Sequence, residues 1–230
     1  MAPIAITFAL PSESSRLVVR ELESKRFEKC AGGQMIFGRL GDQDVVIFHT
    51  GVGGKACARN LEPFLTAAQP RVILSSGFAG GVSARLKVGD VFVAENFSDS
   101  QLATKFEDKA RLFTTTTIVD SLDERNRIAA ENGADAVDME TEVIASAAAA
   151  RGLPMLSLRV ISDTPVQPFP IMPQVLFDVE RQKTNLRRLL WYLLWHPGAS
   201  RRLLTFSRQI DLARVKLTEA ILAALPKLSA

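Results

Sequence analysis

The sequence predicts an α/β protein with a mixed, largely parallel central sheet flanked by helices and a helical C-terminal segment. Three observations lead there. Over residues 4–163, short apolar runs rich in β-branched residues alternate with amphipathic stretches. Glycine clusters at residues 51–54 and 77–81 directly follow two of those runs. Beyond Asp163 the β-rich runs stop, and a proline-rich stretch leads into Leu- and Arg-rich helical patterns.

Residues 4–10 read as a buried strand ended by Pro11, with Ser12 capping a helix from Glu13. Residues 34–40 and 45–49 flank Gly41-Asp42 and predict a hairpin. The glycines at 51–54 open an amphipathic helix over 55–67, and 71–75 form a strand that ends in the tight turn 77–81. Residues 88–94 are a strand, 95–111 a loop or short helix, and 113–119 a β-branched strand. Ser121 with Glu124 has the capping-box spacing for the next helix. A short strand at 134–137, an Ala-rich helix at 139–151 ending at Gly152, and a strand at 154–161 complete the body. Further helices are expected at 185–195, 199–210 and 212–225. The expectation is a single domain over residues 1–230, with 164–210 as a helical insertion.

With 230 residues, 47% of them hydrophobic, the chain can bury a substantial core, which excludes a disordered polymer. No basic n-region precedes the first apolar run, and the apolar run 189–195 is too short to span a bilayer, so the expected location is cytoplasmic. Cys30 and Cys57 lack CxxC spacing, and His49 and His196 lack partners at ligand spacing, so neither a disulfide framework nor a metal centre is expected. The net charge of +3 is unevenly spread: residues 181–230 hold ten Lys and Arg against two Asp and Glu. No aromatic stacking set accompanies the basic residues, so nucleic acid is not an expected partner.

Gly51-Val52-Gly53-Gly54-Lys55-Ala56 fits G-x-G-x-x-A, but the next strand ends in Leu74-Ser75-Ser76 and lacks the acid a dinucleotide site needs. Two glycine turns at strand ends instead frame one crevice for a smaller ligand; ordinary tight turns are the plainer reading. Glu13, Glu140 and Asp163 each stand at a strand exit. Singly each reads equally well as a helix cap. Together they point to acid–base chemistry.

These residues in order resemble the purine nucleoside phosphorylase/nucleosidase superfamily: Glu13, Thr50-Gly51-Val52-Gly53-Gly54-Lys55, Ser76-Gly77-Phe78-Ala79-Gly80-Gly81, Val137-Asp138-Met139-Glu140 and Arg159-Val160-Ile161-Ser162-Asp163. Within it the chain is most similar to methylthioadenosine/S-adenosylhomocysteine nucleosidases. The resemblance implies hydrolysis of the N-glycosidic bond of a 5′-substituted purine nucleoside without a cofactor. It assigns Asp163, positioned through Ser162, to protonation of purine N7. Glu140 and Met139 fall to the ribose, and Glu13 with Arg159 nearby to the attacking water. Gly77, Phe78 and Val119 fall to the walls of the site. A buried Asp suits N7 protonation because burial raises its pKa, and a carboxylate at the ribose suits an oxocarbenium-like transition state.

Neither the loop Phe8-Ala9-Leu10-Pro11-Ser12-Glu13 nor Leu74-Ser75-Ser76 contains an Arg, which favours water over phosphate as nucleophile. A phosphate-dependent phosphorylase and a catalytically silent nucleoside- or lipid-binding scaffold remain the alternatives. The Arg-rich tail resembles that of hopanoid-associated phosphorylase-like proteins, which implies a bulky apolar 5′ substituent. Packing on the sheet, a homodimer interface, and peripheral contact of residues 186–210 with the inner membrane are three readings of that tail.

Overall fold

The computed structural model describes residues 2–167, 177–178, 183–184 and 197–228. Its centre is a ten-stranded sheet. Strands β1 (Ile4–Phe8), β4 (Gln43–His49), β5 (Val72–Gly81) and β10 (Met155–Asp163) form a parallel core in the order β4-β1-β5-β10. Every residue of β1 and β10 is buried, because helices cover both faces, so neither shows the alternation of a half-exposed strand. Antiparallel β2 (Glu23–Cys30) and β3 (Gly33–Leu40) extend one side. On the other, β6 (Val91–Ala94) pairs antiparallel with β10 and leads to β7 (Lys109–Ala110). Strands β8 (Leu112–Thr114) and β9 (Ala136–Asp138) join the sheet through the end of β5.

Helix α1 (Pro11–Arg16) runs into a π-helical turn (Leu17–Glu21). Helix α2 (Gly54–Ala68) follows Gly51 and Gly53, whose φ angles of 84° and 85° need glycine. After α3 (Ser100–Ala103), α4 (Leu122–Asn132) starts from Ser121, whose hydroxyl accepts the Glu124 amide. Helix α5 (Thr141–Ala150) packs with α2 on one face, where Phe48 and Phe64 stack at 4.2 Å, worth about 0.5–1.5 kcal/mol beyond burial. The last helix, α6 (Pro197–Ala224), covers the opposite face with Ala213, Leu217, Ile221 and Ala224.

Three expectations are corrected. The glycines 77–81 are not a turn but the second half of β5: Gly77 pairs with Arg159 and Gly80 with Val137, so the ladder continues through them. The 113–119 strand stops at Thr114, because pairing with β9 ends at Asp138. The helices expected at 199–210 and 212–225 are one helix, since the Ile210–Leu212 junction carries no breaker. The helix expected at 185–195, and most of the 164–210 insertion, lie outside the described residues.

Candidate active site

The ends of β1 and β10, with the short β9 that runs antiparallel to β5, bring three acids to one cavity of about 310 Å³, a size suited to a small organic ligand. Glu13 comes from α1, Glu140 stands at the N-cap of α5, and Asp163 is the last residue of β10. Phe78, Val119, Met139 and Ser162 share the same lining. Phe206 and Ile210 of α6 close one side with apolar surface.

Glu13 is held at both oxygens. Its Oε2 accepts the Leu10 amide at 2.9 Å and its Oε1 the Phe78 amide at 3.1 Å. A Cβ on Gly77 would sit 3.2 Å from Oε1, so the glycine makes room for the carboxylate. Gly77 lies behind the main cavity, in a chamber of about 10 Å³ shared with Glu13, Ser76, Glu140 and Arg159. Glu140 Oε1 accepts the Gly53 amide at 2.6 Å, so the first glycine turn serves the acid. Asp163 Oδ1 accepts the Ser162 hydroxyl at 2.7 Å, and Oδ2 is ion-paired with Arg125 of α4.

Arg159, expected near Glu13 and the attacking water, borders the small chamber beside Glu13, and its guanidinium is engaged by Asp138. Its Nη2 contacts Asp138 at 3.1 Å and donates to Thr141 Oγ1 at 2.6 Å, while Nη1 donates to the Ser75 carbonyl at 2.7 Å. Asp138 also accepts the Thr114 hydroxyl at 2.9 Å. Both are buried, Asp138 in the lining of the main cavity and Arg159 beneath it, and Arg159 acts there as a support for Asp138 and as positive charge near Glu13 and Glu140.

A family model described as the phosphorylase superfamily matches residues 3–113 and 110–194. The chain belongs to the phosphorylase superfamily. Part of it is 33% identical over 79 residues to the 5′-methylthioadenosine/S-adenosylhomocysteine nucleosidase of Haemophilus influenzae (strain PittEE), a match spanning 34% of each chain. The match to that curated relative thus spans about a third of its length. Among solved structures, the Helicobacter pylori nucleosidase of the same description superposes with a TM-score of 0.72 at 16% identity, covering 98% of both chains. The futalosine hydrolase of Helicobacter pylori strain 26695 gives 0.71 at 16% identity, covering 98% of this chain and 97% of that one. These likenesses show the fold.

In this superfamily member, burial governs the site's protonation. Desolvation pushes Glu140 up to about 8, with the charges of Asp138 and Glu13 adding to the rise. Burial also raises Glu13 and Asp163, against hydrogen bonds and the Arg125 charge that favour their ionised forms. An acid with a raised folded-state pKa stabilises the fold fully below its unfolded value, and that stability is lost as pH rises through the folded value. His49, lowered to about 4 by burial, works oppositely, but its contribution is constant above its ordinary 6.5. Between pH 6.5 and 9 the Tm is therefore expected to fall, by about 5 °C, and Glu140→Gln to flatten the curve. Differential scanning calorimetry across that range checks this; a rising Tm would contradict it.

Sequence reasoning missed Arg125, Asp138, Phe206 and Ile210. Arg125 carried a signal: it stands three residues before Ile128 on the buried face of α4, where an arginine needs a buried partner. No described helix is long and apolar enough to cross a membrane.

Proposed function

We propose that this cavity takes a 5′-substituted purine nucleoside and that the protein hydrolyses its N-glycosidic bond, releasing the base. The observation that carries this reading is the convergence of Glu13, Glu140 and Asp163, from three separate elements, on one cavity. Asp163, its pKa raised by burial, gives its proton to purine N7 as the C1′–N9 bonding pair leaves with the base. Glu140 and Met139 face the ribose, where Glu140, raised to about 8 by burial, stabilises the oxocarbenium-like ring in the fraction of molecules that hold it ionised. Water attacks C1′ and passes its proton to Glu13. Val119 and Phe78 form walls of the base and sugar sites.

Water is favoured over phosphate by the chamber behind Gly77. At about 10 Å³ it suits one water molecule and is far too small for phosphate. Ser76 Oγ, buried without a hydrogen-bond partner among the described residues, belongs to its lining. Relatives described as nucleosidases and a futalosine hydrolase support the same chemistry.

The test is chromatography of adenosine, 5′-methylthioadenosine and bulkier 5′-substituted adenosines, with and without phosphate. Release of adenine unaffected by phosphate is expected; an obligatory phosphate yielding a sugar 1-phosphate would overturn the hydrolytic reading, and no release from any of them would favour a silent scaffold. Glu13→Gln is expected to lower kcat by about 10²-fold with adenine affinity little changed. Isothermal titration beside the rate measurement checks the pair of outcomes.

The wider arrangement we propose is a cytoplasmic homodimer of single-domain chains over residues 1–230, with 164–210 beside the 5′ side of the site. The apolar wall of Phe206 and Ile210 supports a bulky, hopanoid-like 5′ substituent. Residues 186–210 would make peripheral contact with an anionic membrane, supported by the basic and apolar character of that stretch. Vesicle cosedimentation of the full chain and a 183–200 deletion tests the contact; equal binding by both disposes of it.

A further inference from the structure

Arg125 is 1% exposed, and its guanidinium reaches three parts of the site. Nη1 donates to the Gly81 carbonyl at 2.7 Å, at the end of β5. Nη2 donates to the Val119 carbonyl at 3.1 Å, in the wall assigned to the base, and pairs with Asp163 Oδ2. Gly80 leaves room for that pair, since a Cβ there would lie 3.3 Å from Asp163 Oδ2 and 3.6 Å from Nη1. Arg125 Nε is buried without a hydrogen-bond partner among the described residues. A guanidinium kept in the interior with an unmet donor is poorly explained by stability alone.

We propose that Arg125 is a positioning residue for Asp163, tying the carboxylate to the Val119 wall and setting how readily it yields its proton. This rests on the reading of Asp163 as the acid that protonates the base. Among the described residues, Arg125 is the only charged group hydrogen-bonded to Asp163. The other charged groups facing the cavity are Glu13 from α1, Asp138 from β9 and Glu140 at the start of α5. Arg159 of β10 is occupied by Asp138 beneath them.

The geometry has a chemical consequence. One carboxylate oxygen is anchored by a cation and the other by the Ser162 hydroxyl, so the acid group is fixed in orientation before any ligand enters. The nearby cation favours the ionised form, which makes Asp163 a stronger acid once protonated than burial alone would leave it. Removing the guanidinium should let Asp163 keep its proton to higher pH and part with it less easily.

The experiment is the pH profile of kcat/KM for adenine release from 5′-methylthioadenosine between pH 5 and 10. It compares the wild-type chain with Arg125→Gln, Arg125→Lys and Asp163→Asn, each checked for folding by circular dichroism. Arg125→Gln is expected to move the alkaline limb up by about one pH unit and to lower kcat at pH 7 by about tenfold or more. Arg125→Lys, which keeps the charge without the three-way grip, is expected to shift the limb less. An alkaline limb that stays in place in Arg125→Gln overturns the inference even if activity falls. If that variant does not fold, Arg125→Lys decides: an unmoved limb with unchanged kcat overturns it equally. Asp163→Asn separates the two layers, because full activity in that variant removes the acid assignment itself, whereas its inactivity leaves Arg125 as the claim on trial.

Discussion

Asp163→Asn is expected to lower the rate of base release by about 10²–10⁴-fold, the range that a positioned general acid supplies. The amide keeps the shape and an acceptor for Ser162 but has no proton of suitable acidity to give. The same change carries a second, separable effect. It leaves Arg125 charged in the interior without its counter-ion, and breaking a buried pair from one side costs about 3–5 kcal/mol. The melting temperature should therefore drop by about 10 °C. Arg125→Gln combined with Asp163→Asn removes both charges and should recover much of that stability without recovering activity. Calorimetry alongside the adenine assay distinguishes the two effects. Normal turnover by the single variant would remove Asp163 from the chemistry.

The second large effect is expected at Arg159→Met. Asp138 would keep its bonds to Thr114 and Thr141 but lose the only cation paired with it among the described residues. The expected loss is again about 3–5 kcal/mol. Activity should fall as well, although Arg159 does not line the main cavity. Its charge holds down the pKa of both Glu13 and Glu140, so its removal pushes both acids further toward their neutral forms. A neutral Glu140 stabilises a cationic sugar poorly, and a neutral Glu13 cannot take a proton from water. Denaturant unfolding and the rate of adenine release in the same preparation would show the two losses together. Undiminished stability would mean that the pair with Asp138 is not the support described here.

Much of this was legible in the chain because parallel strands place chemistry at their ends. Glu13, Glu140 and Asp163 were readable since each follows a β-rich run; the order β1-β5-β10 brings Glu13 and Asp163 together, and β9, paired with the end of β5, adds Glu140. The hairpin at Gly41-Asp42 and the Ser121 cap are local signals, and both appear where expected. The glycines of β5 misled because the residue type that favours turns also allows close approach, and Gly77 serves the second purpose. Arg159 does border the chamber that holds Glu13, but spacing along a strand cannot reveal that Asp138 claims its guanidinium. Arg125 depends on a contact between residues 38 apart in sequence, invisible to local pattern except as an arginine on an apolar helix face.

Helix α6 has two unlike halves: Ala213, Leu217, Ile221 and Ala224 are locked into the interior, while Phe206 and Ile210 reach over the ligand cavity. The acids all reside on other elements. On the proposed function, reactivity and selectivity are thus lodged in different stretches of the polypeptide, and either can change while the other is conserved. Trimming Phe206 and Ile210 to alanine would be a route to admitting a different range of nucleosides while the bond-breaking apparatus stays as it is.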